Sequence, residues 1–223
     1  MGIVTGIKAI AAATAPRESV EYEKATWLSV KDGETVTLRF INELDADSPS
    51  YDVDRGLAIL VEEHQPPTQD GYKRHSLCTL EDLGKCWACE QMAVDKKWRS
   101  KQKFYVNVLV DDGKQTPYAA VWSMGTYRNQ NFETLKDHFL ETNSISNLNW
   151  KLKRSGTKTD TTWLFVPKAI DTKPFVWPSD VKPFDLVKIV RTVPYAEQAR
   201  FYGYEGAVDV PAEELQGNAE VAW

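Results

Sequence analysis

Apolar and polar residues alternate over several short stretches of this chain, and a period of two predicts β-strands. Across 35–41, Thr35, Thr37 and Arg39 alternate with Val36, Leu38 and Phe40. Residues 27–31 precede them across an Asp32-Gly33 turn signal, which reads as a hairpin. Residues 57–61 form a short apolar strand. The clearest strand is 104–110; Asp111-Asp112-Gly113 ends it, and 118–123 returns. A further hairpin joins 150–154 to 162–166 across Ser155-Gly156, and 186–190 reads as a last core strand. Helical spacing is rarer. Phe132, Leu135, Phe139 and Leu140 share one side of a helix predicted over 131–141, and 91–97 reads as a short helix.

Short strands, frequent turns and one helix between two hairpins predict a mostly β protein built as a small barrel. Periodicity does not separate an OB-type barrel from an SH3-like one. Helical crossovers of the βαβ kind are missing. Residues 1–26 read as a flexible N-terminal arm, 27–200 as the core, and 201–223 as a short acidic tail ending in Trp223. The length, 223 residues, accommodates one large domain or one domain with an inserted module. No run of 18 apolar residues is present, so neither a membrane span nor a membrane partner is expected. The first fifteen residues carry one base, Lys8, and do not read as a secretory signal.

Charge changes the picture by its distribution rather than by its net value of −5. Segment 42–63 holds seven acids against Arg55, and the chain beyond Gly203 holds five acids and no base. Between them lie two basic runs: Lys96, Lys97, Arg99, Lys101 and Lys103, then Lys151, Lys153, Arg154 and Lys158. The first leads directly into Phe104 and Tyr105. Cations that neutralise phosphates, interleaved with flat rings, suit an unpaired nucleic-acid strand. In a strand, neighbouring rings face opposite ways, so at most one of Phe104 and Tyr105 serves such a groove directly. Trp122, Trp150 and Trp163 sit in the other predicted strands, each a candidate for core or for base stacking.

The three cysteines cluster. Cys86-Trp87-Ala88-Cys89 is a C-x2-C knuckle, and Cys78 lies just before it. Soft thiolates plus one imidazole suit a single structural zinc ion with no open coordination position. Either His75, spaced like a second knuckle with Cys78, or the more distant His64 completes the set; spacing favours His75. The region 62–90 is mostly polar, and a metal would supply folding energy that burial cannot, which places a zinc module at about 62–95.

Taken together, 28–41, 59–61 with His64, the cysteines, the basic run into 103–110, and 121–125 resemble the zinc-containing single-stranded DNA-binding (helix-destabilising) proteins of tailed bacteriophages, the T-even type. The resemblance spans roughly 28–166. It implies an OB-fold barrel with an inserted zinc module and a short helix between hairpins. It implies His64, Cys78, Cys86 and Cys89 as zinc ligands, against the spacing preference for His75. It carries DNA contact to Arg99, Lys101, Phe104, Tyr105 and Trp122, with Trp163 a looser match. Lys96, Lys97, Lys103, Trp150, Lys151 and Lys153 join them from the residue patterns. Implied too are a sequence-independent role in phage DNA replication, recombination and repair, a location in the infected host's cytoplasm, and replisome or recombination partners met through the acidic tail. The chain departs from that family in its weakly basic first residues and its short acidic end.

Two other classes compete. One is a zinc-stabilised protein-interaction or structural module. The other is a zinc-containing nuclease, which needs clustered carboxylates or histidines around a catalytic metal. Asp111 and Asp112 lack histidine partners and His138 stands alone, so no enzyme is expected. Burial of Tyr105 and Trp122 would favour the interaction module; their display in an open basic groove would favour strand binding.

Overall fold

The computed structural model describes residues 24–66, 68, 71, 74–157, 160–168, 178 and 181–204. The expected arm over 1–23 and the acidic tail beyond Tyr204, Trp223 included, lie outside them. Among the described residues, strand and helix occur in comparable amounts. The strands are β1 (Thr35–Phe40), β2 (Ile59–His64), β3 (Ser76–Leu77), β4 (Lys101–Asp111), β5 (Tyr118–Gly125), β6 (Trp150–Ser155) and β7 (Thr162–Pro167). The α-helices are α1 (Leu80–Leu83), α2 (Trp87–Met92), α3 (Gln130–Thr142), α4 (Leu186–Ile189) and α5 (Tyr195–Phe201), with a 3-10 turn at Lys96–Trp98.

All seven strands join one antiparallel sheet in the order β3-β2-β4-β1-β6-β7, and β5 pairs with β4 off that path. The sheet is open: no ladder among the described residues returns from β7 to β5 or β3. The expected OB-fold barrel is therefore not formed, and the fold is mixed rather than mostly β. Alternation reports which side chains are buried. Closure depends on strand tilt and register stagger, which alternation does not encode. The single-strand-binding and replication identity that rested on a barrel loses that support with it.

β4 organises the sheet because it is apolar on both faces. Phe104, Val106, Val108 and Val110 enter the main core with Leu38, Phe40, Trp122, Trp150, Leu152 and Phe165. Tyr105, on the opposite face, packs with Val121, Leu186 and Val190 in a second cluster. A strand buried on both sides reads as a near-continuous apolar run, as 104–110 does apart from the buried Asn107.

The β4–β5 and β6–β7 hairpins and α3 form where the sequence predicts them. Three elements differ. The helix expected over 91–97 forms earlier, as α2 from Trp87 to Met92, and the Asp95 carboxylate, accepting from Lys97 N, starts the separate 3-10 turn at Lys96–Trp98. Residues 27–31 do not pair with β1, which lies between β4 and β6; Trp27 instead makes an isolated bridge to Val121. Residues 186–190 begin as helix α4, not as a strand, because the Asp185 carboxylate accepts from the Val187 and Lys188 N–H groups and starts a helical turn.

The loop after β1 is pinned by one buried carboxylate. Glu43 accepts from Ser144 Oγ (2.7 Å), Ile145 N (3.0 Å), Ser146 N (3.0 Å) and Ser146 Oγ. No helix among the described residues is long and apolar enough to cross a membrane.

Candidate metal centre and adjoining clefts

The four candidate ligand side chains arrive from three places. His64 ends β2, Cys78 follows the two-residue β3, and Cys86 and Cys89 flank the start of α2. The knuckle works because Cys86 is extended (φ −151°, ψ 116°) and helix begins immediately after it, turning Cys89 back beneath Cys86. The ligand atoms of His64, Cys78, Cys86 and Cys89 all lie within 4.8 Å of one another. Cys78 Sγ is 3.4 Å from Cys89 Sγ, and His64 Nε2 is 3.5 Å from Cys86 Sγ and 3.4 Å from Cys89 Sγ. Sulfur and nitrogen ligands on a tetrahedral zinc lie about 3.5–3.8 Å apart, so the observed spacing fits the ion.

The surroundings favour the same assignment. The His64 ring is fully buried, and its Nδ1–H donates to the Trp98 carbonyl at 2.6 Å. That bond leaves the Nε2 lone pair aimed at the sulfurs, as an outer hydrogen bond does in metal sites. Burial pushes the Cys86 thiol up, but the hydrogen bond shared with His64 and those with the Thr79 and Cys89 backbone outweigh it and bring the thiol down to about 6. Burial pushes Cys78 and Cys89 up. Burial lowers His64, and the hydrogen bonds with Cys86 and Trp98 reverse this and raise it. Among the described residues this is the group that could hold a metal ion, and its His/Cys3 donor set is consistent with a structural zinc site.

No protein-family model, no curated protein and no solved structure matches this chain.

His75 is not in the cluster. It is half-exposed, and its Nδ1 lies 3.7 Å from Glu63 Oε2. Spacing favoured His75 because sequence separation does not reveal that β2 and β3 pair, with His64 opposite Ser76. That pairing carries His64 to the cysteines.

A small aromatic core backs the centre. Trp98 stands edge-on to Trp87 (5.1 Å) and to Tyr202 (5.3 Å), with Tyr204 beside both tryptophans. Tyr202 Oη meets Ser76 Oγ at 2.6 Å.

On the other side of β2 a cleft of about 430 Å³ opens. It is lined by Trp27, Arg74, His75, Lys103, Tyr105, Arg191 and Phe201 among others. At its floor the Tyr105 hydroxyl donates to Glu63 Oε1 (2.7 Å), and burial with this carboxylate contact raises the phenol well above its usual range. A neighbouring cleft of about 490 Å³ shares Lys103 and Ser123 and continues past Trp122, Tyr127, Arg128 and Trp163.

The predicted contact residues are dispersed relative to these clefts. Lys103 lines both, Tyr105 lines the first, and Trp122 and Trp163 line the second. Tyr105 is only 6% exposed and Trp122 only 9%, so the expected display of both rings on an open face does not occur. Trp163 is 42% exposed beneath the Arg154 guanidinium. Phe104 and Trp150 are corrected outright. Both lie in the main core, Trp150 stacked on Phe165 at 4.5 Å with its indole N–H donating to the Ile145 carbonyl. Lys96, Lys97, Arg99 and Lys101 are exposed but line neither cleft. Lys151 and Lys153 alternate with Trp150 and Leu152 on the face of β6 away from the main core. Trp27, Arg74, Arg191 and Phe201 are cleft residues the sequence reading missed. They come from segments far apart in the chain, and no local motif marks them.

Asp111 and Asp112 accept hydrogen bonds from the N–H groups of their own turn, and His138 stands edge-on to Trp150.

Proposed function

We propose that this chain is a zinc-stabilised interaction module, a binding protein rather than an enzyme, whose metal centre shapes a cationic, aromatic-walled cleft. One observation carries this reading: the four ligand atoms gather within 4.8 Å at the base of the same β2–β3 unit whose opposite side lines the cleft. His64, Cys78, Cys86 and Cys89 hold the ion, and zinc there supplies folding energy to a segment with a small apolar core. The burial of Tyr105 and Trp122 supports recognition of a shaped, anionic partner surface over flat stacking on an open groove.

A second reading has one observation of its own. Lys103, Arg74, Arg191, Trp27 and Tyr105 line one cleft, Lys103 also lines the second cleft with Trp163, and cations beside rings suit an unpaired strand. The resemblance to the phage single-strand binders points the same way, but the open sheet does not.

A binding titration separates the two. The zinc-loaded protein is titrated with a single-stranded oligonucleotide, the matching duplex and a polyglutamate peptide, read by tryptophan fluorescence at several salt concentrations. The interaction-module reading expects the peptide to bind and the strand to show no advantage over the duplex. Tight, salt-sensitive binding confined to the single strand overturns it in favour of the second reading. Absence of stoichiometric zinc overturns the first reading, whose metal centre it removes.

A further inference from the structure

Helix α5 reaches the cleft at Phe201 and the metal centre at Gln198. Phe201, at its end, lines the cleft with the Arg191 guanidinium 5.3 Å above its ring. The link to the metal side is a single amide. Gln198 is fully buried in the middle of α5, and all its polar capacity is spent on the zinc module and the approach to α5. Its Nε2 donates to Thr79 Oγ1 (3.1 Å) and to the Val193 carbonyl (3.0 Å). Its Oε1 accepts from Ala88 N–H (3.4 Å) inside the knuckle and from the Cys86 thiol (3.5 Å).

We propose that Gln198 is a positioning residue that couples metal occupancy to the placement of α5, and through Phe201 and Arg191 to the shape of the cleft. This rests on the reading of the Cys/His cluster as a metal centre. The physical argument is one of shared partners. Thr79 and Ala88 lie next to ligands Cys78 and Cys89, so the ion fixes both. A buried amide that bonds both is satisfied only when they are held at one separation. An unsatisfied buried amide is costly, so when the knuckle loosens α5 must move or fray to find water. Cleft residue Arg191 belongs to the same unit, because its carbonyl accepts from Leu77 N of β3 at 2.8 Å.

The test is hydrogen exchange on the full chain, zinc-loaded and chelator-stripped, with zinc content measured first. Wild-type amides across 195–202 should exchange roughly tenfold faster after stripping. In Gln198→Leu, or Gln198→Met if the leucine variant does not fold, they should exchange fast with zinc still bound, and stripping should add less than about twofold. Tyr202→Phe, which removes the Ser76 contact from the same helix end, should loosen α5 yet keep the full metal response. A purely structural Gln198 would behave like Tyr202→Phe. Gln198 variants that retain the wild-type metal response, or a loaded wild type whose α5 ignores stripping, overturn the coupling alone. A chain that takes up no zinc overturns the metal reading and the coupling together.

Discussion

Glu43→Gln isolates the cost of one buried carboxylate. In the wild type, Oε1 faces three donors, Ser144 Oγ, Ser146 N and Ser146 Oγ, and Oε2 faces a fourth, Ile145 N. Glutamine keeps one oxygen, which is best placed against the three. Its NH₂ then points at the Ile145 N–H, donor against donor. Stranding that buried N–H costs about 1–3 kcal/mol, and each bond to Oε1 falls from the charged to the neutral range, a loss of up to about 1 kcal/mol apiece. The sum is about 3–4 kcal/mol once partial relaxation is allowed. For a domain of this size that lowers Tm by roughly 10 °C. Urea denaturation and thermal melts, both read by tryptophan emission, measure it. Zinc stoichiometry should not change, because Glu43 is no part of the metal cluster. A loss below about 1 kcal/mol would refute the view that this carboxylate is what holds the 144–146 turn.

Four further outcomes are expected. Cys86→Ser should lose stoichiometric zinc by elemental analysis and raise the emission intensity change of the Trp87–Trp98 pair on unfolding of the module, while the main core stays folded. Zinc affinity should fall as pH falls, because Cys78 and Cys89 are held protonated by burial and must release protons to bind metal; a chelator competition at pH 6 and pH 8 checks the sign, and equal affinities would refute it. Trp150→Ala should destabilise by about 3–5 kcal/mol, whereas Trp163→Ala should change stability by less than about 1 kcal/mol and act on ligand binding instead. Tyr105→Phe should cost about 1–3 kcal/mol by removing the donor to Glu63 Oε1, measurable by denaturant midpoint.

Local order was legible in the sequence; closure and convergence were not. The hairpin of 150–154 and 162–166, the strand core at 104–110 and helix α3 each follow from a pattern contained within a few residues, whereas the extension of β4 back through the basic Lys101–Lys103 does not. The open sheet does not, since whether β7 meets another strand depends on tilt and stagger summed over every ladder. The metal centre was legible in its cysteines, because C-x2-C is a local motif. Its histidine was not decided by spacing, because a β2–β3 pairing set the distance. The aromatic positions divided for a related reason. Alternation separated Phe104 from Tyr105 and Trp150 from Lys151, but it does not reveal which face of the sheet is roofed. Here the roof over Tyr105 is α4, with Leu186 and Val190, from eighty residues further on.

An open sheet has a consequence for how this molecule keeps company with its own kind. β7 is a terminal strand with Trp163, Leu164 and Val166 partly bare, and its outer backbone groups have no neighbouring strand among the described residues. Such a rim invites edge-to-edge stacking of chains at high concentration. Pro167 closes the strand with a residue that brings no N–H, and Lys168 follows it with a positive charge, two features that discourage ribbon growth. Removing either would make the rim stickier, turning a solubility guard into a seed for aggregation.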